Sequence, residues 1–253
     1  MTKQNGVAKS GDVHVMFTAK GGVGKTHISS LIGQYSQSVG KPVSIIDLDQ
    51  SNPMLARIPE LNAEEVSILT EGAFDDAKLD ALVRRIGASE EPFLMDFGAS
   101  TYQFAWKYFN DNAIAETFGE WGKRLVYHAV VTGGPELPYT LASFEEVAGV
   151  ASTKQVVVWI NPIKGPVASQ GKSFTEMSVF ERNKDKVLAV GLLPIVDRAL
   201  SGEFERLALL ERSMLNLKNI PELDVLSRNR LQRHRDKAFD VIRSVMELVD
   251  ADA

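Results

Sequence analysis

One stretch near the amino terminus constrains this chain more than any other. The apolar run Val13-His14-Val15-Met16-Phe17-Thr18 passes without interruption into Ala19-Lys20-Gly21-Gly22-Val23-Gly24-Lys25-Thr26, and a helix-patterned segment begins at once with His27. A buried strand, a glycine-rich loop and a helix in that order form a cradle for phosphate. Gly21, Gly22 and Gly24 let the loop backbone, Val23 included, turn its N–H groups onto phosphate oxygens where side chains would obstruct the approach. The helix opening at Thr26 and His27 adds the positive end of its dipole. Lys25 is placed to reach the β- and γ-phosphates as a point charge, and the Thr26 hydroxyl to ligate Mg2+. The general form of such loops begins with glycine; here Ala19 takes that place. The match therefore rests on Gly24-Lys25-Thr26 and the additional Lys20-Gly21-Gly22, a string expected by chance in fewer than about one chain in a thousand.

The rest of the chain repeats the same alternation. Runs rich in β-branched residues start at Val43, Pro92, Leu125, Gln155 and Lys186, and between them lie helix-length stretches with apolar residues at three- and four-residue spacing, after Thr26, Pro135 and Gly202. This order predicts βαβ units and an α/β, doubly wound, mostly parallel sheet covered on both faces. No repeat or linker divides the 253 residues, so one domain over 1–253 is expected, ending in a basic helix over about 224–249. The absence of cysteine excludes disulfides, thiol nucleophiles and Cys-ligated metal clusters. A polar start, Met1 to Asp12, and the lack of any apolar run of spanning length predict a cytoplasmic protein with no membrane contact. With a net charge of −5, attraction to nucleic acid has to come from a local patch. The obvious one is Arg228, Arg230, Arg233, Arg235 and Lys237, which offers either a solvated helix face or a non-specific, salt-sensitive contact with DNA phosphates.

Carboxylates stand where open α/β sheets build their sites, at the carboxyl ends of strands: Asp47 and Asp49 in Ile45-Ile46-Asp47-Leu48-Asp49-Gln50, and Asp96 in Leu94-Met95-Asp96-Phe97-Gly98. Asp96 fits a carboxylate that holds Mg2+ through water, and Gly98 would let its loop approach the terminal phosphate. Each of the three also suits a turn former. Asn161, ending the strand Val156-Val157-Val158-Trp159-Ile160, carries an amide able to donate to and accept from a purine edge, or serves as a turn former before Pro162. No carboxylate follows it to read guanine, which favours adenine. Asp96-Phe97-Gly98 and His234-Arg235-Asp236 spell kinase motifs in the wrong order, and Gly171-Lys172-Ser173 imitates a phosphate loop without a preceding strand, so neither marks a second nucleotide site.

Lys20-Gly21-Gly22-Val23-Gly24-Lys25-Thr26 resembles the deviant Walker A loop of the ParA/MinD superfamily of P-loop ATPases. The resemblance implies ATP and Mg2+ as cofactors and a homodimer in the ATP state, with Lys20 reaching across to the nucleotide held by the other subunit. It also implies that Asp47 supports the Mg2+ shell, that Asp49 orients or activates the attacking water, and that Pro194 and Asp197, in Gly191-Leu192-Leu193-Pro194-Ile195-Val196-Asp197, lie near the base. Gln50 departs from the superfamily, where proline is usual.

The segments from Val126 to Phe144, from Val156 to Pro166 and from Gln170 to Phe174 look like the TraL/StbB branch, ParA-like proteins of conjugative transfer and plasmid stability. This second resemblance implies a slow, partner- or DNA-stimulated ATPase acting as a dimerisation switch, with plasmid-encoded partition or transfer proteins as partners. An adaptor that binds nucleotide with negligible hydrolysis is the alternative. The crowded aromatics Tyr102, Phe104, Trp106, Tyr108 and Phe109 suit core or dimer packing, or a docking surface.

Overall fold

In the computed structural model, residues 11–252 are described. The polar start expected over residues 1–10 lies outside them. In chain order the elements are β1 (Val13–Met16), α1 (Lys25–Ser38), β2 (Ser44–Leu48), β3 (Glu64–Glu65), the hairpin β4 (Leu69–Thr70) and β5 (Ala73–Phe74), α2 (Asp76–Gly87), β6 (Phe93–Phe97), α3 (Tyr102–Asp111), α4 (Ile114–Glu120), β7 (Leu125–Thr132), α5 (Leu137–Val150), β8 (Val156–Asn161), the hairpin β9 (Ala168–Ser169) and β10 (Lys172–Ser173), α6 (Ser178–Asn183), β11 (Val187–Leu192), α7 (Arg198–Leu209) and α8 (Val225–Ala251). Seven strands form one parallel sheet in the order β11-β8-β7-β1-β6-β2-β3. From β1 the chain runs out to β2 and β3, returns to insert β6 beside β1, and then crosses to build β7, β8 and β11 outward on the other side, so the crevice at the carboxyl ends opens beside β1, where the glycine loop leaves it.

Continuous burial explains why the central strands read as unbroken apolar runs rather than alternating ones. Val13, Val15 and Phe17 point to the face covered by α2 to α6, while Met16 points to the face covered by α1, α7 and α8. On the first face Phe17 stacks on Phe97 and meets Trp106 and Phe109 edge-on, which places most of the aromatic cluster in the core; Phe104 alone stays half exposed, stacked on Phe74. On the second face α8 lays Ile242, Val245 and Val249, at three- and four-residue spacing, against the sheet. Helix α7 begins at Arg198, five residues before the stretch after Gly202 that periodicity suggests. Asp197 accounts for this by accepting from the Leu200 N–H at 2.8 Å as an N-cap. The hairpin β9–β10 gives Gly171-Lys172-Ser173 a short preceding strand after all, but an exposed antiparallel one with no phosphate-loop geometry.

The second face also carries a polar line through the core. The Trp159 indole N–H donates to His128 Nδ1 at 2.9 Å, and His128 Nε2 lies 2.8 Å from His14 Nδ1. Indole only donates, so the His128 proton sits on Nε2 and is given to His14. Both rings stay neutral: burial lowers His14 to about 4 and drives His128 well below its usual value. Among the described residues no helix is long and apolar enough to cross a membrane.

Candidate functional site

The loop from Ala19 to Lys25 bends over the end of β1 with Gly22 at φ 72° and Gly24 at φ 97°, the left-handed region where a side chain is strained. Gly24 is confined as well, since a Cβ there would collide with the Asn161 amide nitrogen. α1 opens at Lys25 with no side-chain cap, leaving its first N–H groups directed into the loop. Lys25 is buried, with its ammonium 3.0 Å from the Lys20 carbonyl oxygen. Burial lowers its pKa, while Asp96 and Asp49 oppose the shift. A cation held this far from water gains from a bound phosphate more than an exposed one does.

Asp47 and Asp96 are register partners on β2 and β6, and both are fully buried. They do different work. Asp47 accepts from the Asp49 N–H at 3.1 Å through Oδ1, and from the Leu55 and Ala56 N–H groups at 2.8 and 3.2 Å through Oδ2. Its carboxylate thus anchors the backbone that follows β2. Asp96 accepts the Ser29 hydroxyl at 3.0 Å on Oδ1, while its Oδ2 is buried with no partner. Burial pushes Asp96 up to about 6, opposed chiefly by the Thr26 and Ser29 hydroxyls. An orphaned carboxylate oxygen beside a threonine hydroxyl and a phosphate cradle is the donor set of a hydrated hard cation, so the residues fit Mg2+. Thr26 and Asp96 would hold it, with Asp47 supporting from behind.

Asp49 sits just beyond β2 and is partly exposed. Its Oδ1 accepts from the Ser51 and Asn52 N–H groups at 3.0 and 3.2 Å, which is the turn-forming role. A Cβ at Gly98 would run into this same carboxylate, so glycine there lets the two loops touch. Gln50 turns away, its amide donating to the Val66 carbonyl at 2.9 Å.

Asn161 does not stand free beside the base position. Its Nδ2 donates to the Val23 carbonyl at 2.8 Å, while its backbone carbonyl receives the Thr132 hydroxyl at 2.7 Å. Since Val23 O can only accept, the amide orientation is fixed and Oδ1 is left as its acceptor. Asn161 also lines a cavity of about 210 Å³ with His27, Leu193, Pro194, Phe204 and His234. This is below the roughly 300 Å³ of a pocket for a whole drug-sized ligand and suits a single ring system. His27 meets Phe204 edge-on at 4.9 Å, and Phe204 meets His234 at 5.1 Å. Burial lowers both histidines to about 4, so His27 offers a neutral ring rather than a charge. Asp197 does not line this cavity; it lines the neighbouring one that shares Pro194 and His234, while its carboxylate caps α7.

Lys20 lies 3.1 Å from Glu136 of its own chain, with its ammonium 5.3 Å from the centre of the exposed Tyr139 ring. Glu136, Tyr139, Ser29, Phe204 and His234 were not singled out for this site by the sequence. Ser29 alone had a local signal, since it follows Thr26 by three residues on one helix face.

No family model matches the chain. A protein named TraL from Escherichia coli is 30% identical over 230 residues, covering 90% of this chain and 95% of its own, and a second TraL from the same organism is 29% identical over 229 residues with the same coverage. Among solved structures, MinD cell division protein from Aquifex aeolicus aligns with a TM-score of 0.55 at 17% identity over 93% of this chain and 97% of its own. A ParA family ATPase from Chlorobium tepidum TLS aligns at 0.51 and 14% over 92% and 98%. Those two likenesses concern the fold, and the seven-stranded parallel sheet with its glycine loop agrees with them. The chain belongs to the TraL family, on the fold shared by MinD and ParA-type P-loop ATPases.

Proposed function

We propose that the chain is a nucleotide switch of conjugative transfer or plasmid maintenance that binds ATP with Mg2+, dimerises around it and hydrolyses it slowly. The observation that carries this reading is the coincidence, at one crevice, of the Gly22 to Lys25 cradle with the orphaned Asp96 oxygen. The loop N–H groups and the Lys25 ammonium would bind the phosphates. The ring cavity beside Asn161 would take the base, with Oδ1 accepting from an amino group, which suits adenine and rejects a 6-oxo purine. Bound Mg2+ supplies charge neutralisation on the β- and γ-phosphates. Asp49 would orient the attacking water after leaving its turn, and Lys20 would leave Glu136 to meet the nucleotide of a second subunit. On this reading the partners are plasmid-encoded transfer or partition proteins, and the chain is a single domain over 1–253.

Two observations favour a second reading, an adaptor that binds nucleotide with negligible hydrolysis: the Asp49 carboxylate is engaged by two backbone N–H groups, and Gln50 is tied to Val66. Light-scattering mass after gel filtration separates the two, comparing wild type and Asp49→Ala with ATP and Mg2+ or with ADP. A dimer in ATP alone, longer-lived in Asp49→Ala, is expected of the switch. A mass indifferent to nucleotide in both proteins overturns it.

A further inference from the structure

We propose that the β11 edge of the sheet is a docking groove for an extended, acidic segment of a protein partner, one that alternates carboxylates with aliphatic anchors. β11 ends the sheet, paired with β8 on one side and packed beneath α8, so its outer edge is open to a further strand. Beside it runs an apolar cavity of about 570 Å³ floored by Ile160, Val190, Phe174 and Val241. Leu192 and Ile195 stand 63% and 76% exposed at its mouth, unusual for aliphatic side chains adjoining a groove with no other element to cover them among the described residues.

Charge selects the occupant. A second cavity of about 570 Å³ shares Pro194, Ile195 and Lys237 with the first, so the two are continuous, and its wall is built from Arg230, Arg233 and Lys237. These three fall on one face of α8 at three- and four-residue spacing and are exposed. Among the described residues neither Arg233 nor Lys237 has a carboxylate within ion-pair distance, and Arg230 meets Glu203 only at 3.4 Å. The one acidic residue on that wall, Asp197, is engaged as the cap of α7. In a chain of net charge −5, cations left unpaired beside an open strand edge match an anionic partner.

The geometry divides the basic stretch, because Arg235 turns back to donate to the Met214 carbonyl at 3.0 Å and pairs with Asp236, which removes it from the outer face. The remaining patch is too small and too interrupted by Leu192 and Ile195 to track a duplex backbone, whereas a peptide uses all three parts. Backbone groups would pair with β11, aliphatic side chains fill the groove, and carboxylates meet Arg233 and Lys237.

The test uses the full chain and a fluorescent peptide of about eight residues alternating Glu or Asp with Val, Ile or Leu, long enough to span the six residues of β11. Oligoglutamate of equal charge, the same peptide N-methylated at alternate residues, and a duplex DNA of about 20 base pairs serve as comparisons. Saturable binding of the acidic aliphatic peptide is expected, weakened about tenfold or more by Arg233→Glu with Lys237→Glu, and weakened by Ile195→Ser and by N-methylation. All the substituted positions are exposed, and an unchanged melting temperature confirms that the variants fold. Equal binding of oligoglutamate, indifference to the double substitution, no peptide binding at all, or duplex DNA held through these residues in the peptide's place would each overturn the proposal.

Discussion

Lys20 and Glu136 of the same chain pair at 3.1 Å, so the lysine that the proposed switch would send to a second subunit is held within its own chain. The pair is partly exposed, and such contacts contribute about 0.2 to 1 kcal/mol. Releasing it should therefore shift the monomer–dimer balance modestly. Glu136→Gln is expected to raise the ATP-dependent dimer population by about two- to fivefold, and Lys20→Ala to remove the dimer while leaving ATP binding to the monomer in place. Sedimentation velocity across a protein concentration series measures both. A Glu136→Gln protein that dimerises less would mean that Glu136 serves the dimer rather than the resting state.

Asp96 links the site to pH. The folded chain holds its proton up to about 6, whereas an ordinary Asp releases it near 3.8. Stability from this group is therefore fully present below pH 3.8, declines as pH rises to about 6, and stays reduced above it, a cost of about 3 kcal/mol at most. Asp96→Asn removes the buried charge and should raise the melting temperature at pH 7.5 by several degrees, at about 2 to 4 °C per kcal/mol, with the gain vanishing toward pH 4. The same variant should lose the Mg2+-dependent part of nucleotide binding. In the wild type, stabilisation by ATP with Mg2+ should be larger at pH 7.5 than at pH 5, because a cation favours the ionised form. Scanning fluorimetry over pH gives all three results.

The legibility of the fold and site in the sequence depends on how local each signal is. The glycine loop, its lysine and its threonine lie within eight consecutive residues, and the strands around them are apolar throughout because both faces of a parallel sheet are covered. Their identity could be read directly. The anchoring of the backbone after β2 by Asp47 could not, since Asp47 and Asp96 end similar strands, and only the return of the chain at Leu55 and Ala56 shows which carboxylate is tied up and which keeps a free oxygen. The Lys20–Glu136 pair, and the use of the Asn161 donor by Val23, join residues more than a hundred positions apart, for which no periodicity exists.

Asn161 holds the glycine loop through Val23 O and, in the proposed reading, would also read the base. Asn161→Ala removes the donor to Val23 and leaves that buried carbonyl unpaired, at about 1 to 3 kcal/mol. ATP affinity should fall by roughly five- to 140-fold by that conversion. Asn161→Asp is the sharper variant, because it replaces the donor with an acceptor facing Val23 O and should weaken ATP further than alanine does. Calorimetric titration with ATP, GTP and the deaminated analogue ITP separates the two roles of the amide. If Asn161 both holds the loop and reads the base, wild type prefers ATP, and the alanine variant binds all three weakly and nearly alike. Retained preference for ATP in the alanine variant would leave Asn161 as a loop latch alone and move base selection to the walls formed by His27, Pro194 and Phe204.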